Sequence, residues 1–285
     1  MARSPRKKRI LPRLLTCLLL IVLCAVFFRW SNHSLQVEQF TCTLPQLPRG
    51  FDGLTIVQLT DLHGAVFGEN NEELLQAVSE AKPDLIVITG DLLDQDQEDV
   101  QSYIASLPPA LTAIAPTYFV TGNHEWARDD VREVKRQLGE AGVTVLSNAA
   151  VTLTMGEESI VLAGIDDPNG YADQKTPEEL AAEIYEAAGD PFWILLAHRN
   201  THFAPQYSLL GADLVLSGHG HGGIIRLPFT DGLISTDRTL LPSYTAGFYE
   251  ENGSTLFVSR GLGNSGNSFR LFNRPQVAVL TLTCS

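Results

Sequence analysis

The 285-residue chain carries 33 Asp and Glu against 20 Lys and Arg, and 44% of its residues are hydrophobic. That apolar content excludes a disordered chain, and the net charge of −13 argues against a general nucleic-acid binder, which needs a basic face, so no nucleic-acid partner is expected. Four cysteines are too few for a disulfide framework.

The charge is unevenly placed. Residues 1–30 hold Arg3, Arg6, Lys7, Lys8, Arg9, Arg13 and Arg29 and no acid, which leaves a body of net charge −20. Leu14 to Phe28 is free of charge, Gly and Pro. As a helix this run spans roughly 22 Å, short of a hydrocarbon core of roughly 30 Å. The stretch 10–30 is long enough if Arg13 and Arg29 snorkel to the two interfaces, with Trp30 as an interfacial aromatic. The preceding cluster predicts a single-pass signal-anchor in the cell membrane, a cytoplasmic tail over 1–9 and an extracytoplasmic body. The rival is a cleaved secretory signal, but Leu23-Cys24-Ala25, the nearest approach to a small-residue cleavage site, falls inside the apolar run.

A polar linker and edge strand are expected over 31–48, the strand at Val37–Thr43, with the main domain over 49–285. Leu54–Leu59 and Leu85–Thr89 read as buried strands, and Tyr118–Val120 as a third. Helices are expected over Asn71–Ala81, about Glu98–Leu107 and Asp129–Ala141. This βαβαβα order implies parallel pairing with helical crossovers. Short strands follow at Thr144–Leu146, Val151–Met155 and Ser159–Ile165, then a helix opened by the Thr176 cap and Pro177. Trp193–Ala197 and Leu214–Ser217 are strands again. Tyr244–Tyr249 and Thr255–Ser259 flank the hairpin signal Asn252-Gly253, and Val277–Leu282 closes the chain. The whole reads as one α/β domain of two packed sheets with outer helices. Cys17 and Cys24 are apolar filler of the anchor, whereas Cys42 and Cys284 could pair if the first and last strands are neighbours.

The informative residues follow the buried strands. Strand 54–59 runs into Asp61-Leu62-His63, strand 85–89 into Gly90-Asp91, and strand 118–120 into Gly122-Asn123-His124-Glu125. Strand 193–197 runs into His198, and strand 214–217 into Gly218-His219-Gly220-His221. Each signal alone is an ordinary turn with a satisfied side chain. Their conjunction at the carboxyl ends of strands, where α/β sheets bind ligands, is not. Asp61-x-His63 and His219-x-His221 are each expected to present both side chains on one face of an extended segment, to one metal. Asp, Asn and His without Cys suit Mn, Fe or Zn and exclude a thiolate zinc site. Asp61, His63, Asp91, Asn123, His198, His219 and His221 are too many for one tetrahedral ion and fit two ions sharing a carboxylate. His202 competes with His198, which is preferred because it ends its strand. Arg260, Asn264 and Arg270 either contact phosphate or cap the sheet.

These five blocks, in this order, resemble the calcineurin-like metallophosphoesterases over about residues 50–282. The basic apolar N-terminus, Ser217–Gly223, Val258–Gly263 and Arg270–Pro275 resemble the bacterial membrane-associated YkuE/YaeI-like phosphodiesterase branch. The resemblance implies a four-layer αββα sandwich behind an N-terminal transmembrane helix. It implies Asp61, His63 and His221 on a first metal, Asp91 as bridge, and Asn123, His198 and His219 on a second. His124 would assist the leaving group beside Asp91, with Glu125 or Asp94 behind it; Asn123, His124 and Arg260 would contact substrate. The implied activity is hydrolysis of a phosphate mono- or diester by in-line attack of a metal-bridging hydroxide. The anchor favours a lipid-linked, cell-wall or membrane-proximal phosphate ester as partner. The alternative is a catalytically silent, metal-dependent phospho-ligand binding module. Another metallohydrolase class, of the β-lactamase type, wants His-x-His-x-Asp-His, and the trailing Asp-His is missing here. Ile224, Arg199-Asn200 and Gln276 depart from the branch's pattern at positions that bear on specificity.

Overall fold

The computed structural model describes residues 10–227, 230–236, 238–266 and 268–284; the expected basic tail at 1–9 lies outside them. Helix α1 (Ile10–His33) is followed by strands β1 (Gln36–Thr43), β2 (Thr55–Leu59), β3 (Leu85–Thr89), β4 (Thr117–Val120) and β5 (Thr144–Val145). Helix α2 (Glu72–Glu80) lies between β2 and β3, α3 (Val100–Thr112) between β3 and β4, and α4 (Asn123–Trp126) and α5 (Val131–Glu140) between β4 and β5. Strands β2 to β5 pair in parallel, as the crossover helices require.

The second sheet comprises β6 (Ala149–Met155), β7 (Glu158–Gly164), β8 (Trp193–Arg199), β9 (Leu214–Gly218), β10 (Gly247–Glu251) and β11 (Ser254–Val258), in the order β10-β11-β9-β8-β7-β6. Helix α6 (Pro177–Ala188) packs on its outer face, opened by a Thr176–Glu179 capping box. Strand β12 (Gln276–Thr283) returns to the first sheet, parallel to β1 and antiparallel to β2.

Alternating side chains inside the continuous apolar strands divide the core into three. Ile56, Leu85 and Val87 join Leu162, Ile194, Leu196 and Leu216 between the sheets. Val57, Leu59, Ile86 and Ile88 point the other way, onto Leu74, Leu107 and Leu138 of α2, α3 and α5. Leu195 and Val215 pack with Leu180 and Ile184 of α6. Three apolar layers separate four layers of structure, the expected αββα sandwich.

Several expectations shift. Helix α3 runs to Thr112 through Pro108 and Pro109, because Leu107 and Leu111 are fully buried on its inner face. The strand expected from Tyr244 begins only at Gly247, and Asn252-Gly253 forms the hairpin turn with both residues at positive φ. The segment expected as a linker after Trp30 is docked instead. Helix α1 continues to His33, and Ser31 and Asn32 are buried against the backbone of Arg270.

The first and last strands are indeed neighbours, but Cys42 lies opposite Leu282, and Cys284 falls two residues beyond. That offset separates the two Cα atoms by roughly 8 Å, outside disulfide range. All four cysteines are free, and burial pushes the Cys42 thiol up to about 12. Thiol titration of the denatured, unreduced chain is therefore expected to find all four thiols; a count of two would place the bridge back at Cys42–Cys284.

Candidate metal centre

The carboxyl ends of β2, β3, β4, β8 and β9 meet at one edge of the sandwich. Gln58 ties three of them, donating to the Thr89 hydroxyl at 2.8 Å and to the Ser217 carbonyl at 3.0 Å. Gly218 must be glycine for the sheets to close here: a Cβ would stand 2.0 Å from Thr60 Oγ1 and 2.7 Å from Asp61 Oδ2.

The side chains converge in three overlapping groups: Asp61, His63 and His221; His63, Asp91 and His124; Asp91, His198 and His219. Asp91 Oδ2 lies 3.7 Å from His63 Nε2 and 3.1 Å from His198 Nε2, so one carboxylate oxygen faces both sides. His63 Nε2 meets His221 Nε2 at 3.1 Å, and Asp61 Oδ1 lies 3.5 Å from the same His221 atom. His198 Nε2 and His219 Nδ1 are 3.2 Å apart. Every predicted ligand except Asn123 thus enters a group. Asn123, the first residue of α4, lines the same cavity, and its Oδ1 is buried without a hydrogen-bond partner.

The expected geometry of the two x-separated pairs is wrong in an instructive way. Asp61, His63, Asp91, His219 and His221 all sit at positive φ, so neither pair is extended. Left-handed backbone at five non-glycine residues costs energy that the surrounding structure must supply. The bend still brings Asp61 and His63 together, but it sends His219 and His221 to different groups, so they do not share one site.

Neighbouring groups hold these side chains in place. Glu125 is fully buried and accepts from the backbone N–H of Asp91 and Leu93 at 3.0 Å each and of Gly122 at 2.7 Å. His198 Nδ1 lies 2.9 Å from the Thr89 carbonyl. A carbonyl only accepts, so Nδ1 carries a proton and Nε2 is the ring nitrogen aimed inward at Asp91. Asp94 Oδ2 approaches His63 Nδ1 at 3.4 Å, and Arg270 Nη2 approaches His221 Nδ1 at 3.3 Å. His124 Nδ1 accepts from the Gln95 N–H at 3.2 Å, which leaves the proton on Nε2, 3.3 Å from Ser265 Oγ. Burial keeps the His124 imidazole below its ordinary range.

Among the protein groups alone the electrostatics are strained. Burial, and Asp91 nearby, push Asp61 up against the pull of His198 and His63. Burial also works against ionised Asp91, but His198 and His63 outweigh it and hold that carboxyl well below the usual range. Against its own burial, His198 is driven to about 10 by Asp91. Two buried carboxylates facing five imidazoles are a site that cations relieve. The donor set, the orphaned Asn123 oxygen and the inward-facing His198 Nε2 all fit divalent metals of the borderline class.

The cavity above these residues, about 360 Å³, is also lined by His124, Arg199, Ile224, Asn264, Ser265 and Arg270. Arg260 takes the sheet-capping alternative: its Nη2 bonds Glu38 of β1 at 2.6 Å, and it does not line the cavity. His202 lies against Tyr207, away from the convergence. Gln276 accepts from the Arg260 N–H at 2.7 Å and is likewise structural. Sequence reasoning missed Thr236, Ser265 and Ser268 as cavity residues, which carried no local signal, and took Arg199 only as a departure bearing on specificity; its place beside His198 was the clue to the cavity.

Residues 54–223 match the family model for calcineurin-like phosphoesterases, and the chain belongs to that family of metal-dependent phosphoester hydrolases. It is 31% identical to the uncharacterized metallophosphoesterase YkuE of Bacillus subtilis over 261 residues, 88% of this chain and 86% of that protein. An uncharacterized metallophosphoesterase of Aquifex aeolicus is 30% identical over 92% of this chain and 97% of its own length. A transmembrane protein with a metallophosphoesterase domain from Bos taurus is 31% identical over 83% of this chain, which spans 54% of that protein. The fold is also that of the sulfate thiohydrolase SoxB of Thermus thermophilus, at a TM-score of 0.52 and 13% identity, covering 84% of this chain and 58% of that one.

Glu125→Ala removes the acceptor for three backbone N–H groups and is expected to cost on the order of 3–5 kcal/mol by urea unfolding. His63 beside it holds the Asp94 carboxyl down to about 2. The stability this adds exists above the unfolded pKa near ~4 and is lost as pH falls through the folded value. The gap in unfolding midpoint between wild type and Asp94→Asn is therefore expected above about pH 4 and closes on acidification towards about 2.

Proposed function

We propose that the chain is a membrane-anchored hydrolase of phosphate mono- or diesters that works with two divalent cations drawn from Mn, Fe and Zn. Asp61, His63 and His221 would hold one cation, Asn123, His198 and His219 the other, and Asp91 would be shared. The observation that carries this reading is the single oxygen Asp91 Oδ2 facing His63 on one side and His198 on the other. When bound, such a pair supplies Lewis-acid charge at the phosphoryl oxygens and acidifies the water that attacks in line.

The chain's own residues do the rest. His124 reaches the cavity with its proton on Nε2, and this neutral imidazole is placed to hydrogen-bond the departing ester oxygen. Its backbone N–H bonds Asp91 Oδ1 at 2.9 Å, which fixes this donor relative to the shared carboxylate. Arg199, clamped by Asp167 at 2.7 and 3.1 Å, presents a fixed cation on the cavity wall. Asn123 and Asn264 add amides there, so substrate recognition falls to these groups and not to Arg260.

The apolar helix supports the address. Pro12–His33 is long and apolar enough to cross a membrane, and only 6% of its most apolar stretch is buried. With the basic cluster at its N-terminal side, residues 1–9 would stay cytoplasmic, 10–30 would span, and the catalytic domain would face outward. An intact His124 on the cavity wall disfavours the silent binding module.

Purified full-length protein should hydrolyse p-nitrophenyl phosphate or bis(p-nitrophenyl) phosphate only with added divalent metal. Asp91→Asn should abolish turnover. His124→Ala should lower it by about 10²–10⁴ while bound metal is retained. Full activity in Asp91→Asn, or activity untouched by chelation, contradicts the reading.

A further inference from the structure

Helix α1 is docked on the active-site loops, and that docking says what the cavity faces. Asn32 donates to the Arg270 carbonyl at 3.0 Å and accepts from its N–H at 2.7 Å; it also accepts from Asn264 at 3.2 Å. Ser31 donates to the same carbonyl at 3.0 Å. Arg274 lies over the Trp30 ring, 5.0 Å from its centroid. The partners Asn264 and Arg270 line the cavity, so the helix end and the cavity wall share residues.

The helix also serves as a depth gauge. Its charged residue on the domain side is Arg29, which sets the interface at that turn. Phe28 and Phe27 lie one and two residues deeper. Phe269 packs on Phe28 with ring centroids 5.9 Å apart, and Phe272 packs on Phe27 at 4.8 Å. Two aromatics of the loop that walls the cavity thus stand at or below the level of Arg29. Along this loop Ser268 and Arg270 line the cavity, while Phe269 and Phe272 are 44% and 45% exposed.

The apolar surface continues sideways. Ile225 bridges Leu271, Leu233 bonds Ile225 at 2.8 Å, and Leu241 bonds Leu233 at 2.9 Å. This small ladder joins Ile225, Leu233 and Leu241 to Leu271, and Ile224 and Thr236 beside it also line the cavity. Its outer residues Leu240 and Leu241 are 73% and 75% exposed, about three ladder spacings, roughly 14 Å, from Leu271. Between Ile225 and Leu241 the exposed Asp231 is met by Arg226 at 3.7 Å, and after Glu251 the side chains include Arg260, Arg270 and Arg274 but no Asp or Glu. An apolar rim continuous with α1, with its one described carboxylate paired and its loop at 268–274 basic, fits an anionic bilayer surface.

We propose that the rim Leu240, Leu241, Phe269 and Phe272 seats in the outer boundary of the same membrane that α1 crosses, so that the cavity takes the phosphate esters of membrane lipids in place. This rests on the hydrolase reading above and narrows its substrate to headgroup phosphates that never leave the bilayer. A soluble ester reaches the cations without the rim; a lipid ester needs it.

The test uses the full-length chain in phosphatidylcholine vesicles containing phosphatidic acid and phosphatidylglycerol, a monoester and a diester lipid. A photoreactive phenylalanine at position 241 or 272 is expected to form lipid adducts, and one at exposed Tyr171 is not. Absence of adducts at 241 and 272 overturns the proposal. In the same vesicles, L240N/L241N is expected to lose about tenfold or more of lipid-ester turnover while p-nitrophenyl ester turnover stays within about twofold. Equal loss on both substrates, or a wild type that cleaves the soluble ester and neither lipid, overturns it as well. A wild type that cleaves no ester at all sinks the hydrolase reading instead, and the adducts then judge the membrane contact alone.

Discussion

Two carboxylates, Asp61 and Asp91, are buried at the edge where two sheets meet, and much of the surrounding structure answers that placement. Ionised groups there have little water to lean on, so their charge must be met by imidazoles, by backbone N–H groups and by cations. The opposing pulls on Asp61 and Asp91 show that the protein groups alone meet it unevenly. The left-handed backbone at five candidate ligand positions is the conformational counterpart: side chains from separate strands are bent towards one another as no extended segment would allow.

The fold supplies the rigidity this needs. Parallel strands deliver their carboxyl ends to one edge, and three apolar layers hold those ends still. Glu125 and Gln58 then fix the loop positions relative to one another. The apolar helix α1 is drawn into the same framework through Asn32 and Arg270, with Arg270 in turn beside His221. Helix α1 and the candidate metal centre are therefore parts of one packed unit, two side chains apart.

The layer architecture was legible because β-branched runs and helix caps speak locally: the strands at 54–59 and 85–89 and the box at Thr176 need no tertiary information. The centre was legible for a different reason, since Asp, Asn and His recur where strands end. What the residues alone did not reveal depended on distant contacts. The left-handed bend at His219 and His221 follows Gly218, where Thr60 and Asp61 leave no room for a Cβ, and His219 N–H is held by the Asp61 carboxylate. Arg260 is claimed by Glu38 on a strand more than two hundred residues away in the chain. Ser31 and Asn32 look like linker residues until Arg270 is brought beside them.

The account stands on two cations sharing Asp91. Crystals of the full-length protein, soaked with manganese and measured for anomalous scattering, test this directly. The account predicts two peaks, one among Asp61, His63 and His221 and one among Asn123, His198 and His219, with Asp91 between them. A single peak, or peaks remote from Asp91, would contradict it.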